Sequence, residues 1–420
     1  MLRLLLQRCY LSLCASFLLA VSVHAQVERA SHTPDSLPSI ATNEALVAQP
    51  LPTWGELLET RLGELLKDPS LQTTTLGLCI YNLTADTLVY AYGAERVLRP
   101  ASTMKVITAV AALRELGGAF RYATSLRYTG AVEGDTLHGD LYLVGSMDPL
   151  FDHDDMLSLV SGLQRQGIRH VQGTLYTDNS LKDTTQLGQG WCWDDNNPRL
   201  TPLLYQGQDR FVAQFMRKAS EAGISLPELV ANGVCPPEAT LVDVRHHTID
   251  EVLRPVLKQS RNLHAETLFY HIGAKSGRRY PSYDAAQARI TQWLTSLGNY
   301  HTHNLRVADG SGLSLYNYVT PRLLVDVLRY AYQRTNLYEH LTAALPIAGV
   351  DGTLSKRMAS SSAHYRIQAK TGTLEGVISL AGYADASNGN RLAFAIITNG
   401  TLTPAATRRF HDNICVAMTE

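Results

Sequence analysis

The chain has 420 residues, of which 45% are hydrophobic and 18% are charged, so it is long enough for two domains with a large core. Its 37 basic and 38 acidic residues give a formal net charge of -1. This balance excludes the strongly basic composition of proteins that bind nucleic acid or an anionic membrane surface through charge alone.

The N-terminal segment is apolar and follows two arginines. Arg3 and Arg8 precede an uncharged run that ends in Val23-His24-Ala25, which fits a small-x-small cleavage site. We interpret residues 1–25 as a secretory signal and predict a periplasmic or otherwise exported protein with no transmembrane segment once the signal is removed. A retained membrane anchor is the alternative, although the apolar run is short for a membrane span.

Regular structure is predicted to begin after a linker. Residues 26–52 are rich in Ser, Pro, Ala and Thr without periodicity, which is typical of an extended or disordered segment. Thr53-Trp54-Gly55-Glu56 is a capping box that starts a helix, and Asp68-Pro69 ends it. The segments L-G-L-C-I-Y-N-L and T-L-V-Y-A-Y-G then predict a β-hairpin.

A serine and a lysine three residues apart open the next helix. Ser102 and Lys105 precede the apolar run V-I-T-A-V-A-A-L-R, which Gly117-Gly118 terminates. Residues at i and i+3 share a helix face, so the Lys105 amine can reach the Ser102 hydroxyl and take its proton if burial keeps the amine neutral. The alternative is an ordinary N-cap serine followed by a lysine whose stem packs on the protein surface.

From about residue 125 the pattern changes to short strands and amphipathic helices. Residues 125–245 are predicted to form a separate inserted α/β domain, in which Gly145–Pro149 is a turn and V-Q-G-T-L-Y-T-D is a strand. Four cysteines remain after removal of the signal. Cys79 is predicted to be a buried thiol in a strand, and Cys192 with Cys235 is the first pair to test for a disulfide.

The last part of the chain returns to longer helices and ends in an apolar hairpin. Ser260-Arg261-Asn262 lies in a loop between two predicted helices. Asp309-Gly310-Ser311-Gly312 predicts a tight turn with a structural role, in which side chains bind backbone amides. Lys370-Thr371-Gly372-Thr373 precedes two apolar strands that are joined by a turn at residues 385–390.

Three short motifs therefore stand in order: Ser102-x-x-Lys105, Ser260-x-Asn262 and Lys370-Thr371-Gly372. This ordered set is found in penicillin-binding proteins and serine β-lactamases. The segments A-S-T-M-K-V-I-T-A, S-R-N-L-H-A-E-T-L-F, D-G-S-G-L-S-L-Y-N-Y-V-T-P and A-K-T-G-T-L resemble the class C low-molecular-mass penicillin-binding proteins, the D-alanyl-D-alanine carboxypeptidase/endopeptidase family. The resemblance runs from about Gly77 to the end, with Arg261 standing where relatives often carry Asp or Asn.

The resemblance implies an α/β (α+β) architecture, the penicillin-recognising serine DD-peptidase/β-lactamase-like fold with a smaller inserted domain. Its catalytic domain is expected to be an antiparallel sheet with helices on both faces plus a helical subdomain, built from residues 53–124 and 246–420. Within it Ser102 would be the acylated nucleophile, Lys105 its base, and Ser260 the relay of a proton to the leaving amine.

The remaining motif residues are expected to bind the substrate or assist these three. Asn262 would bind the substrate's peptide carbonyl and help to fix Lys105, and Lys370 would hold positive potential beside the relay. Thr371 and Thr373 would bind the terminal carboxylate, and Gly372 is counted with them among the substrate-binding residues. The backbone N–H groups of Ser102 and Thr373 would form the oxyanion hole.

Asp148, on the turn at Gly145–Pro149, is a further candidate for the substrate site. The insert starts near Ser102 and ends near Ser260 in sequence, so we expect it to project from the rim of the active site. A carboxylate on a rigid turn could orient a positively charged amine on the third residue of a stem peptide. The alternative is that Asp148 only stabilises its own Asp-Pro turn.

The predicted function is a serine DD-peptidase that cleaves D-Ala-D-Ala termini or D-Ala-diamino acid cross-links of peptidoglycan through an acyl-enzyme. Stem peptides would be its substrates and β-lactam antibiotics its covalent inhibitors, and neither a metal nor an organic cofactor is required. A β-lactamase or esterase on the same fold is an alternative, but no separate deacylation base is evident. A catalytically silent cell-wall binding module is another, which the intact motifs disfavour. A Ser/His/Asp hydrolase would need a G-x-S-x-G elbow, which the sequence does not contain.

Overall fold

The computed structural model describes residues 52–193, 197–298, 300–301 and 304–420. The predicted signal at 1–25 and the predicted linker, except for its last residue, lie outside the described residues. In the part of the chain that is described, none of the helices has the length and apolar character needed to cross a membrane.

Ten helices and thirteen strands are described, and their bounds are as follows. The helices are α1 (Trp54–Leu65), α2 (Met104–Leu116), α3 (His153–Arg165), α4 (Phe211–Glu221), α5 (Ile249–Lys258), α6 (Asn262–Ala274), α7 (Tyr283–Ser296), α8 (Pro321–Tyr332), α9 (Thr335–Ala344) and α10 (Pro404–Thr419). The strands are β1 (Thr75–Asn82), β2 (Thr87–Tyr92), β3 (Arg121–Tyr128), β4 (Ala131–Glu133), β5 (Thr136–His138), β6 (Leu141–Val144), β7 (His170–Gln172), β8 (Leu175–Asp178), β9 (Val230–Asn232), β10 (Thr240–Thr248), β11 (Ile367–Leu374), β12 (Val377–Asp385) and β13 (Arg391–Asn399).

Strands from the two ends of the described chain form one antiparallel sheet in the order β11-β12-β13-β1-β2. Successive side chains of a strand point to opposite faces, and here both faces are apolar. Cys79 and Tyr81 of β1 join one hydrophobic core with α2 and α8, whereas Leu78 and Ile80 join a second core with α1 and α10. The predicted antiparallel sheet with helices on both faces is confirmed, as are the hairpins β1–β2 and β12–β13.

Helix α2 lies at the centre of the larger core. All ten residues from Met104 to Leu113 are buried, because the helix is apolar around its whole circumference and packs against α6 and α8. Lys105 is therefore drawn into the interior by its neighbours in sequence. Helix α2 is preceded directly by a 3₁₀ turn, Ala101–Thr103, that carries Ser102.

A second sheet lies within the predicted insert and has the order β10-β3-β6-β8-β9. Strands β6, β8 and β9 are parallel and are connected through α3 and α4, whose apolar faces share a core that includes Phe151, Phe211 and Phe215. The outer pair β3 and β10 starts at Arg121 paired with Thr248, so it extends a few residues beyond the predicted limits at 125 and 245.

Two predictions for this region are wrong in detail. The single strand expected over V-Q-G-T-L-Y-T-D is two strands, β7 and β8, which belong to different sheets. Gly173 lies between them, where an added Cβ would come within 2.2 Å of the Gly139 carbonyl oxygen. The suggested disulfide is also not formed, because Cys192 and Cys235 are both free. Cys79 is a buried thiol, as predicted.

Candidate active site

The Ser102 hydroxyl and the Lys105 amine lie 3.0 Å apart. Ser102 occupies the 3₁₀ turn and Lys105 the first turn of α2, so the predicted spacing of three residues brings the two side chains together. Lys105 is completely buried, whereas Ser102 keeps part of its surface exposed. A reagent can therefore reach the hydroxyl while the amine stays shielded from water.

Three oxygen atoms surround the Lys105 amine. Besides the Ser102 hydroxyl, the amine contacts Oδ1 of Asn262 at 2.8 Å and the backbone carbonyl oxygen of Ser311 at 2.6 Å. Both of these oxygens can only accept hydrogen bonds. In a neutral amine the two N–H groups donate to them, and the lone pair is left facing the Ser102 hydroxyl.

Because Lys105 is buried, its amine can lose its proton close to neutral pH. Burial lowers the pKa of Lys105 to about 8, while the carboxyl groups of Asp309 and Glu266 act in the opposite direction. An amine of this pKa can accept the proton of a serine hydroxyl and later return it.

Ser260 and Lys370 form a second pair. The Lys370 amine donates to the Ser260 hydroxyl at 2.9 Å and to the Thr371 carbonyl oxygen at 2.6 Å. Lys370 is completely buried, and burial together with the charge of Lys105 lowers its pKa. Ser260 has φ of 60°, in the left-handed region that a residue with a side chain seldom occupies. A loop held in such a conformation aims this hydroxyl at Lys370.

Strand β11 lies against the turn that carries Ser102. A Cβ added at Gly372 would be 2.1 Å from the Ser379 hydroxyl and 3.0 Å from the Ser102 backbone nitrogen, so only glycine permits this approach. Strand β11 is the end strand of its sheet, and Thr373 is exposed there. Thr371 is partly buried, and its hydroxyl contacts that of Thr353 at 2.8 Å.

A polar cavity of about 830 Å³ opens beside these residues. Ser260, Asn262 and their neighbours to His264 line one side. The other side is formed by residues of the predicted insert: Pro149, Asn197, Pro198, Arg199, Gln206, Gly207, Gln208 and Asp209. Two separate parts of the chain therefore enclose the space next to the serine motifs.

Asp148 does not face this cavity in the way that the sequence suggested. Its side chain is completely buried, and its carboxylate accepts a hydrogen bond from the Leu150 N–H at 3.0 Å. The other carboxylate oxygen lies 2.7 Å from Nδ1 of His247. A carboxylate that is shielded from solvent and already bonded on both oxygens is poorly placed to bind a substrate amine. The geometry thus argues against the predicted ligand role and favours the alternative, a structural role in the turn.

Two contributors to the site were not identified from the sequence. One is the Ser311 carbonyl, which belongs to a turn that was correctly predicted as structural: Asp309 accepts hydrogen bonds from the N–H groups of Gly312 at 2.7 Å and Ser314 at 2.8 Å. The other is Glu266, which is buried behind that turn. A single acidic residue inside the apolar run of α6 is the signal that could have indicated it.

No cluster of three or more metal-binding side chains occurs among the residues that the structure describes.

Comparison with known proteins identifies the family of this chain. The model described as the D-Ala-D-Ala carboxypeptidase 3 (S13) family matches residues 58–204 and 204–420. The chain is 25% identical over 439 residues to D-alanyl-D-alanine carboxypeptidase DacB of Haemophilus influenzae, covering 84% of this chain and 90% of that protein. It is 27% identical over 460 residues to a D-alanyl-D-alanine carboxypeptidase of Actinomadura sp., covering 86% of this chain and 84% of that protein.

A solved structure shows the same fold. The crystal structure of penicillin binding protein 4 (dacB) from Haemophilus influenzae superposes with a TM-score of 0.77 at 24% identity, covering 84% of this chain and 98% of that one. The same protein complexed with a β-lactam gives a TM-score of 0.71 at 25% identity, with the same coverage. The predicted fold and enzyme class are confirmed, and the chain belongs to the D-Ala-D-Ala carboxypeptidase 3 (S13) family of serine peptidases.

Proposed function

We propose that this protein hydrolyses the peptide bond that follows D-alanine in peptidoglycan stem peptides, through an acyl-enzyme on Ser102. The observation that carries the proposal is the 3.0 Å contact between the Ser102 hydroxyl and a buried amine whose other two contacts are acceptors. The names of the carboxypeptidase relatives support the choice of substrate. Because peptidoglycan is outside the cytoplasm, we further propose that the protein works in an exported form.

In the acylation step Lys105 takes the proton of Ser102 as the serine oxygen attacks the carbonyl carbon before the scissile bond. The carbonyl oxygen becomes an oxyanion, which the backbone N–H groups of Ser102 and Thr373 would stabilise. Each such donor typically lowers the barrier by roughly 3 to 4 kcal/mol. Asn262 would orient the substrate's neighbouring peptide carbonyl while it holds Lys105.

The leaving amine must gain a proton as the C–N bond breaks. The Ser260 hydroxyl can donate it, and the Lys370 amine, 2.9 Å away, can replace the proton that Ser260 gives up. The proton that Lys105 took from Ser102 then passes to Lys370, which leaves Lys105 neutral again. In the second step Lys105 takes a proton from water as the water attacks the acyl ester, and it returns this proton to the Ser102 oxygen as the ester bond breaks. The free enzyme is restored without a cofactor.

Strand β11 would align the end of the substrate. Thr371, Gly372 and Thr373 lie on the end strand of the sheet beside Ser102, and the buried Lys370 is next to them. Hydroxyl groups next to a positive charge are suited to a terminal carboxylate. A penicillin presents a carboxylate and a reactive amide in a similar arrangement, so we expect β-lactams to acylate Ser102.

We also propose that residues 125–245 act as an inserted domain that binds the part of the stem peptide remote from the cleaved bond. The support is the cavity that its loops form with the Ser260 segment. This wall is polar, with Arg199, Asp209 and two glutamines among its residues. Such a wall would favour peptides over small esters.

The function is tested by incubating the purified mature protein with a stem pentapeptide and with a cross-linked dimer, followed by mass spectrometry. We expect loss of a terminal D-alanine or separation of the dimer into monomers, and neither product with the Ser102→Ala variant. Unchanged peptides with the wild-type protein, or equal turnover by Ser102→Ala, would contradict the proposal.

A further inference from the structure

Two buried carboxyl groups lie close to Lys105, and the reaction described above gives neither of them a role. Glu266 on α6 and Asp309 in the loop between α7 and α8 are each 1% exposed. Buried carboxyl groups are costly unless their oxygens are hydrogen-bonded. Their partners therefore indicate what these residues hold in place.

Glu266 binds two successive backbone N–H groups. Its Oε1 accepts from Ser311 at 2.8 Å, and its Oε2 accepts from Gly310 at 3.2 Å. On the opposite side of the same residue, the Ser311 carbonyl oxygen accepts from Lys105 at 2.6 Å. Ser311 is thus held through its N–H by Glu266 and contacts the catalytic amine through its C=O.

Other contacts fix the rest of this loop. The Thr108 hydroxyl donates to the Gly310 carbonyl oxygen at 2.6 Å, and Asp309 accepts from the Trp191 indole N–H at 2.8 Å. Gly312 packs so closely on the nucleophile turn that an added Cβ would lie 1.9 Å from the Ala101 carbonyl oxygen. A shift of the loop would therefore disturb Lys105 and Ser102 together.

We propose that Glu266 is a positioning residue: by binding the N–H groups of Gly310 and Ser311, its carboxylate holds the Ser311 carbonyl oxygen against the Lys105 amine. This inference rests on the proposed function, because it takes Lys105 as the base for Ser102. With the carbonyl fixed, one N–H of the neutral amine has a defined direction and the lone pair remains on the side of Ser102. Without the anchor, the amine can rotate away from the hydroxyl.

The negative charge of Glu266 disfavours acylation, whereas its hydrogen bonds to the loop favour it. The charged groups that raise the pKa of Lys105 are Glu266 from α6 and Asp309 from the loop, and the charge of Lys105 in turn lowers the pKa of Lys370 on β11. Burial and the charge of Asp309 raise the pKa of Glu266 to about 8, so Glu266 becomes negative in the same pH range in which Lys105 titrates. Once formed, that negative charge raises the pKa of Lys105 and so favours its inactive, protonated form. The acid limb of the pH–rate profile is the part in which the acylation rate rises with pH. Replacing Glu266 by a neutral residue should therefore move this acid limb to lower pH, although the plateau rate falls.

Two variants separate position from charge. Glu266→Gln removes the charge and one of the two acceptors, whereas Glu266→Asp keeps the charge on a side chain that is one methylene too short to reach both N–H groups. Asp155→Asn is the matched control, since Asp155 is also buried but bonds to Arg245 and to the start of α3. All four proteins are compared by circular dichroism and thermal unfolding.

The measurement is the rate of covalent labelling of Ser102 by a fluorescent penicillin from pH 6 to pH 10. We expect both Glu266 variants to lose about tenfold to hundredfold at the plateau, as for a misplacement of about 1 Å. In Glu266→Gln the acid limb should move to lower pH, because no negative charge forms beside Lys105 as the pH rises, while in Glu266→Asp it should stay in place. Asp155→Asn should label at the wild-type rate.

Labelling of Glu266→Gln at the wild-type rate with an unmoved acid limb would overturn the inference. The inference would also be overturned if the labelling rate of both variants fell only in proportion to the fraction of unfolded protein and the acid limb stayed in place in both. If Glu266→Gln does not fold, wild-type labelling by Glu266→Asp is sufficient to overturn it. Failure of the wild-type protein to be labelled at Ser102 would instead contradict the proposed function, so the two results are distinguishable.

Discussion

The reactivity of Ser102 depends on the protonation state of one buried amine. Lys105 can act as a base only when it is neutral, and burial lowers its pKa to about 8. Below that pH the amine is protonated and has no lone pair. We therefore expect the rate of penicillin acylation to rise with pH, with a midpoint near pH 8 and a fall of about tenfold per unit on the acid side.

This profile is measured from single-turnover labelling between pH 6 and pH 10, with the fold checked by circular dichroism at each pH. A rate that is independent of pH over this range would mean that Lys105 is not the base, or that its amine is already neutral at pH 6. The sequence indicated this contact, since a spacing of three residues allows the Lys105 amine to reach the Ser102 hydroxyl.

Among the secondary-structure elements, strand β11 packs against the turn that carries Ser102, and this packing depends on Gly372. A methyl group there would meet the Ser379 hydroxyl, which is itself hydrogen-bonded to the Pro100 carbonyl oxygen at 2.6 Å. We expect Gly372→Ala to displace β11 and slow acylation by about a hundredfold or more. The melting temperature should fall as well.

Gly63→Ala is the matched control for this substitution. Gly63 lies in α1, and a Cβ added there meets no atom within 4 Å. This control should keep the wild-type acylation rate and stabilise the helix by about 1 kcal/mol. Equal acylation by the Gly372→Ala and Gly63→Ala variants would show that the close approach of β11 is not required.

The turn at Gly145–Pro149 is tied to β10 by the contact between Asp148 and His247. This contact raises the pKa of His247 above its usual value of 6.5 in the folded protein. A raised pKa in the folded state means that the stabilisation is fully present below pH 6.5 and is lost as the pH rises through the folded pKa. Replacing His247 by Gln should therefore lower the melting temperature most at pH 5.5 and least at pH 9.

Thermal unfolding of the wild-type protein and of His247→Gln at pH 5.5, 7 and 9 measures this difference. The same change in melting temperature at all three values would show that the ion pair does not form. The geometry argues against the expectation that Asp148 binds substrate, because its carboxylate is already paired with the partly buried His247, 99 positions away in the sequence. A sequence pattern shows neighbours along the chain, and it does not show which distant side chain will neutralise a carboxylate.

In the molecule as a whole, residues of the predicted insert lie next to the segment that carries Ser260. Loops of the insert line the cavity opposite Ser260, and its Trp191 bonds to Asp309 in the loop behind Lys105. We expect Arg199→Ala to lower kcat/KM for a stem peptide about tenfold, through loss of a charged hydrogen bond, while penicillin acylation stays within about twofold.

Parallel assays with the peptide and with penicillin test this separation. Equal losses in both reactions would assign Arg199 a structural role. No loss in either reaction would show that this side of the cavity does not bind the stem peptide. A matched control is Arg217→Ala, since Arg217 is an exposed arginine on the same region's helix α4 that pairs with Glu221.

Much of the fold followed from local patterns, including the capping box at Thr53, the two hairpins and the buried helix after Ser102. The family resemblance supplied the arrangement of the three motifs. The sequence could not show the contacts that join distant segments, such as Lys105 with the Ser311 carbonyl, 206 positions apart. A backbone carbonyl carries no residue-type signal, so only the folded chain reveals it.

The most direct test of Ser102 as the nucleophile and Lys105 as its base is to map the adduct that a penicillin forms with the mature protein. Peptide mass mapping should place one stable adduct on Ser102, and Lys105→Ala should acquire it about 10²- to 10⁴-fold more slowly. An adduct on another serine, or labelling of Lys105→Ala at the wild-type rate, would contradict this mechanism.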